Sequence, residues 1–178
     1  MSTISVEKLT QIKSVDMVDL ISATIDAISD GIGFNWISPP MPEVLEGYWK
    51  GVQIVPERSL FGGRLDGTLA ASIQLVRPSK SKETSAFAVN IEGHFVAPWA
   101  RGHGLAKALL DAAEREASKE GYSLIRLSVR ETQERALKVY RENGYEEWGT
   151  LPYYEIVNAR MVAGHFFYKK LAPVSDLI

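Results

Sequence analysis

Met17, Leu20, Ile21, Thr24, Ile25 and Ile28 recur at the three-and-four spacing of a single helix face, so residues 16–28 are expected to form an amphipathic helix. The stretch GIGFNWISPPMP breaks that period, and Pro42 suits the first turn of a second helix reaching to about residue 55. Residues 59–64 and 68–76 read as short strands on either side of the turn Leu65-Asp66-Gly67, a hairpin pattern. RPSKSKETS, residues 77–85, has the composition of an exposed, mobile connection to the next strand, 86–96. A long helical period follows in PWARGHGLAKALLDAAEREA and reaches about residue 119 before the turn Lys119-Glu120-Gly121. Residues 123–129 form an apolar strand pattern. In 132–142, Ala136, Val139 and Tyr140 share one helix face, and Asn143-Gly144 is a C-terminal stop. Residues 145–149 read as a short strand and 165–171, HFFYKKL, as the last one.

This order predicts an α/β fold: a mixed sheet, antiparallel among its early strands, with helices on both faces. The strand–helix–strand unit within 86–129 is expected to be parallel and right-handed. The 178 residues fit one domain, 1–178, large enough to bury a core.

Composition removes several chemistries. The chain has no cysteine, which excludes disulfides, a thiol nucleophile and thiolate zinc sites. Its start, MSTISVEKLTQ, lacks the pattern of a signal peptide. No apolar run approaches the ~20 residues of a membrane span. The formal net charge is −2 with both signs mixed, so neither a nucleic-acid stripe nor a basic membrane face is expected. The expectation is a cytoplasmic protein with no nucleic-acid or membrane partner. Histidines and carboxylates are too scattered for a metal site, and His165 needs no special role.

Gly102 and Gly104 stand where a strand gives way to a helix. Glycine permits positive φ and close approach of a ligand, and the first-turn N–H groups with the helix dipole make an anion site. Arg101, His103 and Lys107 add side-chain donors, which points to a phosphate or pyrophosphate. The alternative is that the glycines serve only a tight turn. A dinucleotide fingerprint needs a third glycine where Ala106 and Lys107 stand, and Glu131 comes late for its acidic partner. A P-loop fails for want of G-K-[ST].

R-G-H-G-L-A fits the acetyl-CoA signature [Q/R]-x-x-G-x-[G/A], and there the chain resembles the GNAT superfamily of N-acetyltransferases. The approach FVAPWARGHGLAKALL resembles that superfamily's strand, turn and helix, within 86–119. LSVRETQERALKVYRENGY, within 123–149, resembles its second signature, N-x-x-A-x-x-x-Y-x-x-x-G-[F/Y]. GIGFNW, GTLPYY and HFFYKKL add a looser similarity to the tabtoxin-resistance type.

The resemblance implies a mostly antiparallel sheet splayed at the cofactor site. It also implies direct transfer of an acetyl group from acetyl-CoA to a primary amine in a ternary complex, without a metal. The pantetheine arm would lie along the backbone of His94, Phe95 and Val96, where a bulge would aim N–H groups at the thioester carbonyl. The diphosphate would sit on the backbone of Arg101, Gly102, His103, Gly104, Leu105 and Ala106. Tyr140 matches the proposed general acid; a phenol of pKa ~10 is protonated at neutral pH and can donate to the departing sulfur. Its spacing alone equally describes a core tyrosine. Gln133 stands where the family has an asparagine that contacts the cofactor.

The base is open. Asn90 occupies the position of a glutamate used by many relatives; Glu92, two residues on, points to the same face, and His94 is expected to share it. Glu92 equally suits a surface salt bridge. Tyr154, Glu155 and an ordered water chain are further candidates. The acceptor wall would involve Gly33, Phe34, Asn35, Trp36, Tyr153 and Tyr154, which suits a small amphipathic amine; alternatively Phe34 and Trp36 only plug the sheet edge. Rival functions are a non-catalytic acyl-CoA-binding or sensing domain, a protein N-terminal or lysine acetyltransferase, and a nucleotide-binding oxidoreductase. A homodimer pairing through HFFYKKL is a further expectation.

Overall fold

Seven strands and four α-helices form among the residues described by the computed structural model, 1–31 and 33–172. Ile32 of the GIGFNW stretch and residues 173–178 of the expected 1–178 domain lie outside them. In chain order the elements are β1 (Ile4–Lys8), α1 (Ser14–Ser29), α2 (Pro42–Ile54), β2 (Arg58–Leu65), β3 (Thr68–Val76) and β4 (Ala88–Val96). They continue with α3 (Leu105–Lys119), β5 (Leu124–Arg130), α4 (Glu134–Glu142), β6 (Glu146–Val157) and β7 (Arg160–Lys170). The strands form one sheet in the order β1-β2-β3-β4-β5-β7-β6. Every neighbouring pair is antiparallel except β4 and β5.

Helix α1 buries Leu20, Ala23, Thr24, Ala27 and Ile28. Thr24 is tolerated inside because its hydroxyl donates to the Leu20 carbonyl at 2.6 Å and accepts from the Trp49 indole at 3.2 Å. Pro42 does start α2, which buries Leu45, Trp49 and Val52 along one stripe. The β2–β3 hairpin closes on Asp66 and Gly67, both at positive φ, the two-residue turn whose twist matches paired strands.

Helices lie on both faces. A Cβ at Gly63 of β2 would meet Leu105 and Leu109 of α3, at 3.1 and 3.4 Å, which marks the α3 face. On the opposite face, the buried Gln74 of β3 donates to the Tyr48 hydroxyl of α2 at 3.0 Å. Tyr145, just after α4, donates to Glu114 of α3, tying α4 to the α3 side.

Strands β4 and β5 pair only at Ala88↔Leu124, Val89↔Ile125 and Asn90↔Arg126, then part. From residue 91 onward β4 bonds to β3 alone and β5 to β7 alone, so the sheet is splayed.

Three expectations are corrected. β1 has no counterpart in the predicted elements. The strands predicted at 145–149 and 165–171 belong to one long hairpin, β6–β7, closed by Asn158 and Ala159 at positive φ. HFFYKKL offers no free edge for a dimer, because β7 is hydrogen-bonded to β5 on one side and β6 on the other. No helix among the described residues is long and apolar enough to cross a membrane.

Candidate active site

The glycine hinge precedes α3. Gly102 has φ 82° and Gly104 φ 85°. A Cβ on Gly102 would meet nothing within 4 Å, so backbone conformation, not crowding, calls for glycine there. The Gly104 carbonyl accepts the first helical bond, from Ala108 at 3.0 Å. The backbone N–H groups of residues 102–107 donate to no acceptor among the described residues. They converge at the positive end of a 15-residue helix. Each of the three expected side-chain donors has a partner of its own, Arg101 through one nitrogen only. Arg101 binds Asp30 at 2.7 Å, His103 Nδ1 lies 3.3 Å from the Ala100 carbonyl, and Lys107 binds Asp111 at 2.6 Å. The donors left free at the hinge are mainly backbone N–H groups, with Arg101 Nη2 buried beside them without a partner among the described residues. Beside it, a cavity of about 860 Å³ runs from Val96 past Gly104 and Ala106 to Gln133, Ala136 and Val139. The hinge and its cavity fit the diphosphate and arm of a coenzyme such as acetyl-CoA.

A bulge interrupts β4 where the sheet parts. Gln74 pairs with Glu92 and Ser72 with Phe95, leaving both Gly93 and His94 opposite Ile73. Gly93 sits at φ 54°, and the Ser72 hydroxyl donates to its carbonyl at 3.0 Å. The extra residue reverses the alternation. Glu92 stays on the α2 face, where Arg58 bridges it (2.6 Å) and Gln74 (2.7 Å). His94 emerges toward α3 and α4. The expectation that Glu92 and His94 share a face is thus overturned.

His94 Nε2 lies 3.0 Å from the Ala106 carbonyl, and Nδ1 lies 2.8 Å from the Tyr140 hydroxyl. A carbonyl can only accept, so Nε2 carries the hydrogen and the phenol O–H donates to Nδ1. Burial pushes the imidazole down to about 4, partly offset by the bond to Ala106. Burial also pushes the Tyr140 phenol well above its ordinary value. Both groups are neutral at neutral pH. The Tyr140 ring packs between Tyr145 and Phe167, with centroids at 5.6 and 6.2 Å, while the residue also borders a cavity.

That second cavity, of about 600 Å³, lies on the other side of β4. Gly33, Phe34, Asn35 and Trp36 line it from the loop after α1. Phe34 stacks edge-on to Phe95 at 4.9 Å, and Trp36 to Tyr48 at 5.3 Å. Phe34 itself has φ 60°, and its carbonyl accepts from Arg130 at 3.1 Å. The buried Arg130 also binds Glu155 at 2.9 Å. Burial raises the Glu155 carboxyl, and the Arg130 charge opposes that rise. Tyr154 bonds Ser128 at 2.7 Å and lies flat on Gly164, where a Cβ would come within 2.2 Å of its ring. Tyr153 does not line this cavity: strand alternation turns it outward, 76% exposed.

The two cavities share His94, Phe95 and Gln133. Tyr48, Ser128 and Arg130 also line the second one and escaped the sequence reading. Ser128 and Arg130 alternate along the end of a strand expected beside the splay, which was the available signal. Among the described residues no group of three or more histidines and carboxylates is placed to hold a metal ion.

Residues 23–145 match the Acetyltransferase (GNAT) family. An uncharacterized N-acetyltransferase in the hisH-hisA intergenic region of Azospirillum brasilense is 50% identical over 135 residues, 76% of this chain and 80% of that one. Among solved structures, a GNAT superfamily phosphinothricin acetyltransferase from Sinorhizobium meliloti, in complex with acetyl-CoA, superposes with a TM-score of 0.78 at 15% identity, covering 96% of this chain and 89% of that one. A ribosomal-protein-alanine N-acetyltransferase from Brucella melitensis superposes with a TM-score of 0.77 at 17% identity, covering 93% and 99%. At these identities the structural likeness speaks to the fold.

Proposed function

We propose that this chain, which belongs to the GNAT family of acetyltransferases, brings its two substrates together where its two cavities meet. It is an acetyl-CoA-dependent N-acetyltransferase. The observation that carries the proposal is the junction itself: His94, Phe95 and Gln133 border both cavities, and Tyr140 borders the acceptor side.

The unpaired N–H groups of residues 102–106 would hold the diphosphate. The open edge of β4 at His94, Phe95 and Val96 would take the pantetheine arm as an added strand. When bound there, acetyl-CoA supplies an activated acetyl group on sulfur. Tyr140, kept protonated by burial, gives its proton to the departing sulfur. Glu155 is our choice for receiving the amine's proton, because its carboxyl is half-buried and raised. Glu92 and Glu155 each pair with an arginine, and Glu92 is the more exposed of the two. Direct attack in a ternary complex suits two cavities that open on one another.

The acceptor is a small-molecule amine in this reading. The second cavity is bounded on one side by the aromatic loop after α1 and on the other by Tyr154, room for a compact amine with an apolar body. Structural neighbours include both a phosphinothricin enzyme and a ribosomal-protein enzyme, so the choice rests on the cavity. The non-catalytic and oxidoreductase alternatives lack support of this kind.

The test is turnover of free CoA across a panel of amino acids, polyamines and peptides, with wild type and Tyr140→Phe. The reading expects a small amine to be acetylated. It also expects Tyr140→Phe to lose about 10²-fold or more in kcat while still binding acetyl-CoA. Activity confined to peptides would overturn the acceptor class, and full activity in Tyr140→Phe would overturn the acid.

A further inference from the structure

We propose that His94 is a positioning residue, which holds the Tyr140 hydroxyl at the cavity junction and keeps its hydrogen turned aside until a charged sulfur draws it away. The inference rests on the reading of Tyr140 as the acid. It goes further by saying what aims that acid.

Three observations converge. The bulge at Gly93 sends His94 to the face of α3 and α4, where a regular strand would have sent it to the opposite one. The Ala106 carbonyl fixes the imidazole tautomer, because an Nε2 lone pair at 3.0 Å from that oxygen would be repelled. Nδ1 is then an acceptor whose donor among the described residues is the Tyr140 hydroxyl at 2.8 Å. The phenol oxygen is therefore fixed in place with its hydrogen on His94.

The proton balance follows. A neutral thioester sulfur is a weak acceptor, so the hydrogen stays on His94 while the C–S bond is intact. As the C–N bond forms and the C–S bond breaks, the sulfur gains negative charge and takes the hydrogen from Tyr140 Oη. The nitrogen releases one proton to the acceptor side, and the phenolate regains one from there through cavity water. His94 stays neutral throughout, in keeping with its low basicity. This is a different assignment from a histidine base, which would take a proton at Nδ1 and reverse the direction of its bond with Tyr140.

The link to Ala106 adds a geometric reason. The same residue contributes its N–H to the hinge and its carbonyl to His94. The acid is thus referenced to the backbone expected to grip the coenzyme's diphosphate.

The experiment is a double-mutant cycle of His94→Leu and Tyr140→Phe, read as kcat and as acetyl-CoA affinity by calorimetry. His94→Leu should lower kcat about tenfold or more, with acetyl-CoA affinity changed less than about threefold. His94→Asn, whose amide oxygen can accept the phenol hydrogen, should recover most of that rate. In the Tyr140→Phe background His94→Leu should cost nothing further. Equal losses in both backgrounds would overturn the proposal, as would an unimpaired His94→Leu. If Tyr140→Phe alone keeps full rate, the acid assignment itself falls, a result distinct from failure at His94. A measurement on the wild-type enzyme guards against variants that fold poorly. Imidazole ¹⁵N NMR should show the Nε2–H tautomer at His94, with the Nδ1 resonance shifting in Tyr140→Phe, and the Nδ1–H tautomer would overturn the proposal.

Discussion

Acidification should unfold this protein partly through His94, and the size of that contribution follows from the structure. The imidazole falls from an ordinary value of 6.5 to about 4 because burial disfavours its charged form. Between those values the unfolded chain binds a proton that the folded chain refuses. Stability therefore rises with pH across the window. The contribution is complete above about 6.5 and is lost as pH falls toward 4. An interval of 2.5 pH units at about 1.4 kcal/mol each sets a ceiling of about 3 kcal/mol. His94 borders two open cavities, and solvent there softens the burial, so about 2 kcal/mol is expected by pH 4.5.

The assay is urea unfolding of wild type and His94→Asn at pH 7.5, 6.5, 5.5 and 4.5. Other groups titrate in the same range. Arg77 holds Glu120 below its ordinary value, and His165 does the same for Glu147. Those contributions are common to both proteins and cancel in the difference. Wild type should lose about 2 kcal/mol more than His94→Asn between pH 7.5 and 4.5. Parallel profiles would show that His94 is not held neutral by burial, and the tautomer argument would lose its footing.

Gly93→Ala should destabilise by about 2–3 kcal/mol, since φ 54° is costly for any side chain and the new Cβ would lie 2.5 Å from Nε2 of the buried Gln74. Urea unfolding reads the loss, and kcat should fall with it because His94 is aimed by the same bulge. Arg101→Ala should weaken acetyl-CoA binding by no more than about tenfold in calorimetry, because Nη1 is engaged by Asp30 while Nη2, buried without a partner among the described residues, is left to add at most one contact beside the hinge cavity. Thr24→Val should cost about 1–3 kcal/mol in thermal or urea unfolding by leaving the Trp49 indole N–H buried without an acceptor.

Much of the scaffold was legible because it depends on local chemistry. Asp66-Gly67 dictates a tight turn between two apolar runs, Pro42 starts a helix, and the glycine hinge announces a strand-to-helix turn with free N–H groups. β1 was illegible because its side of the sheet is a polar edge, with Glu7 and Lys8 spent on Arg64 and Glu116. β6 was cut short in the reading because Gly149 and Pro152 interrupt it and most of its side chains are exposed, leaving no apolar alternation. The pairing of the side-chain donors at the hinge was illegible for another reason. Arg101, Lys107 and His103 each have a nearer partner supplied by the fold: Asp30 at the end of α1, Asp111 one turn along α3, and the Ala100 carbonyl. Sequence shows which groups can donate; it does not show which acceptor folding brings closest.

The bulge at Gly93 is the most consequential feature hidden from a strand read at period two. Regular alternation would place Asn90, Glu92 and His94 together on the α2 face, with carboxylate and imidazole beside the same acceptor. One inserted residue separates them. Glu92 remains with Arg58 and Gln74 on the α2 face, while His94 joins Ala106 and Tyr140 toward α3 and α4. Glu92 and the His94–Tyr140 pair border the same cavity from opposite faces of one strand. Gly93 also lies in the stretch of β4 that has left β5, so the turned side chain of His94 sits where the sheet is open. A change that straightens β4 at Gly93 should return His94 to the α2 face and break its bonds to Ala106 and Tyr140, whereas a change at Tyr140 alone should leave the bulge in place.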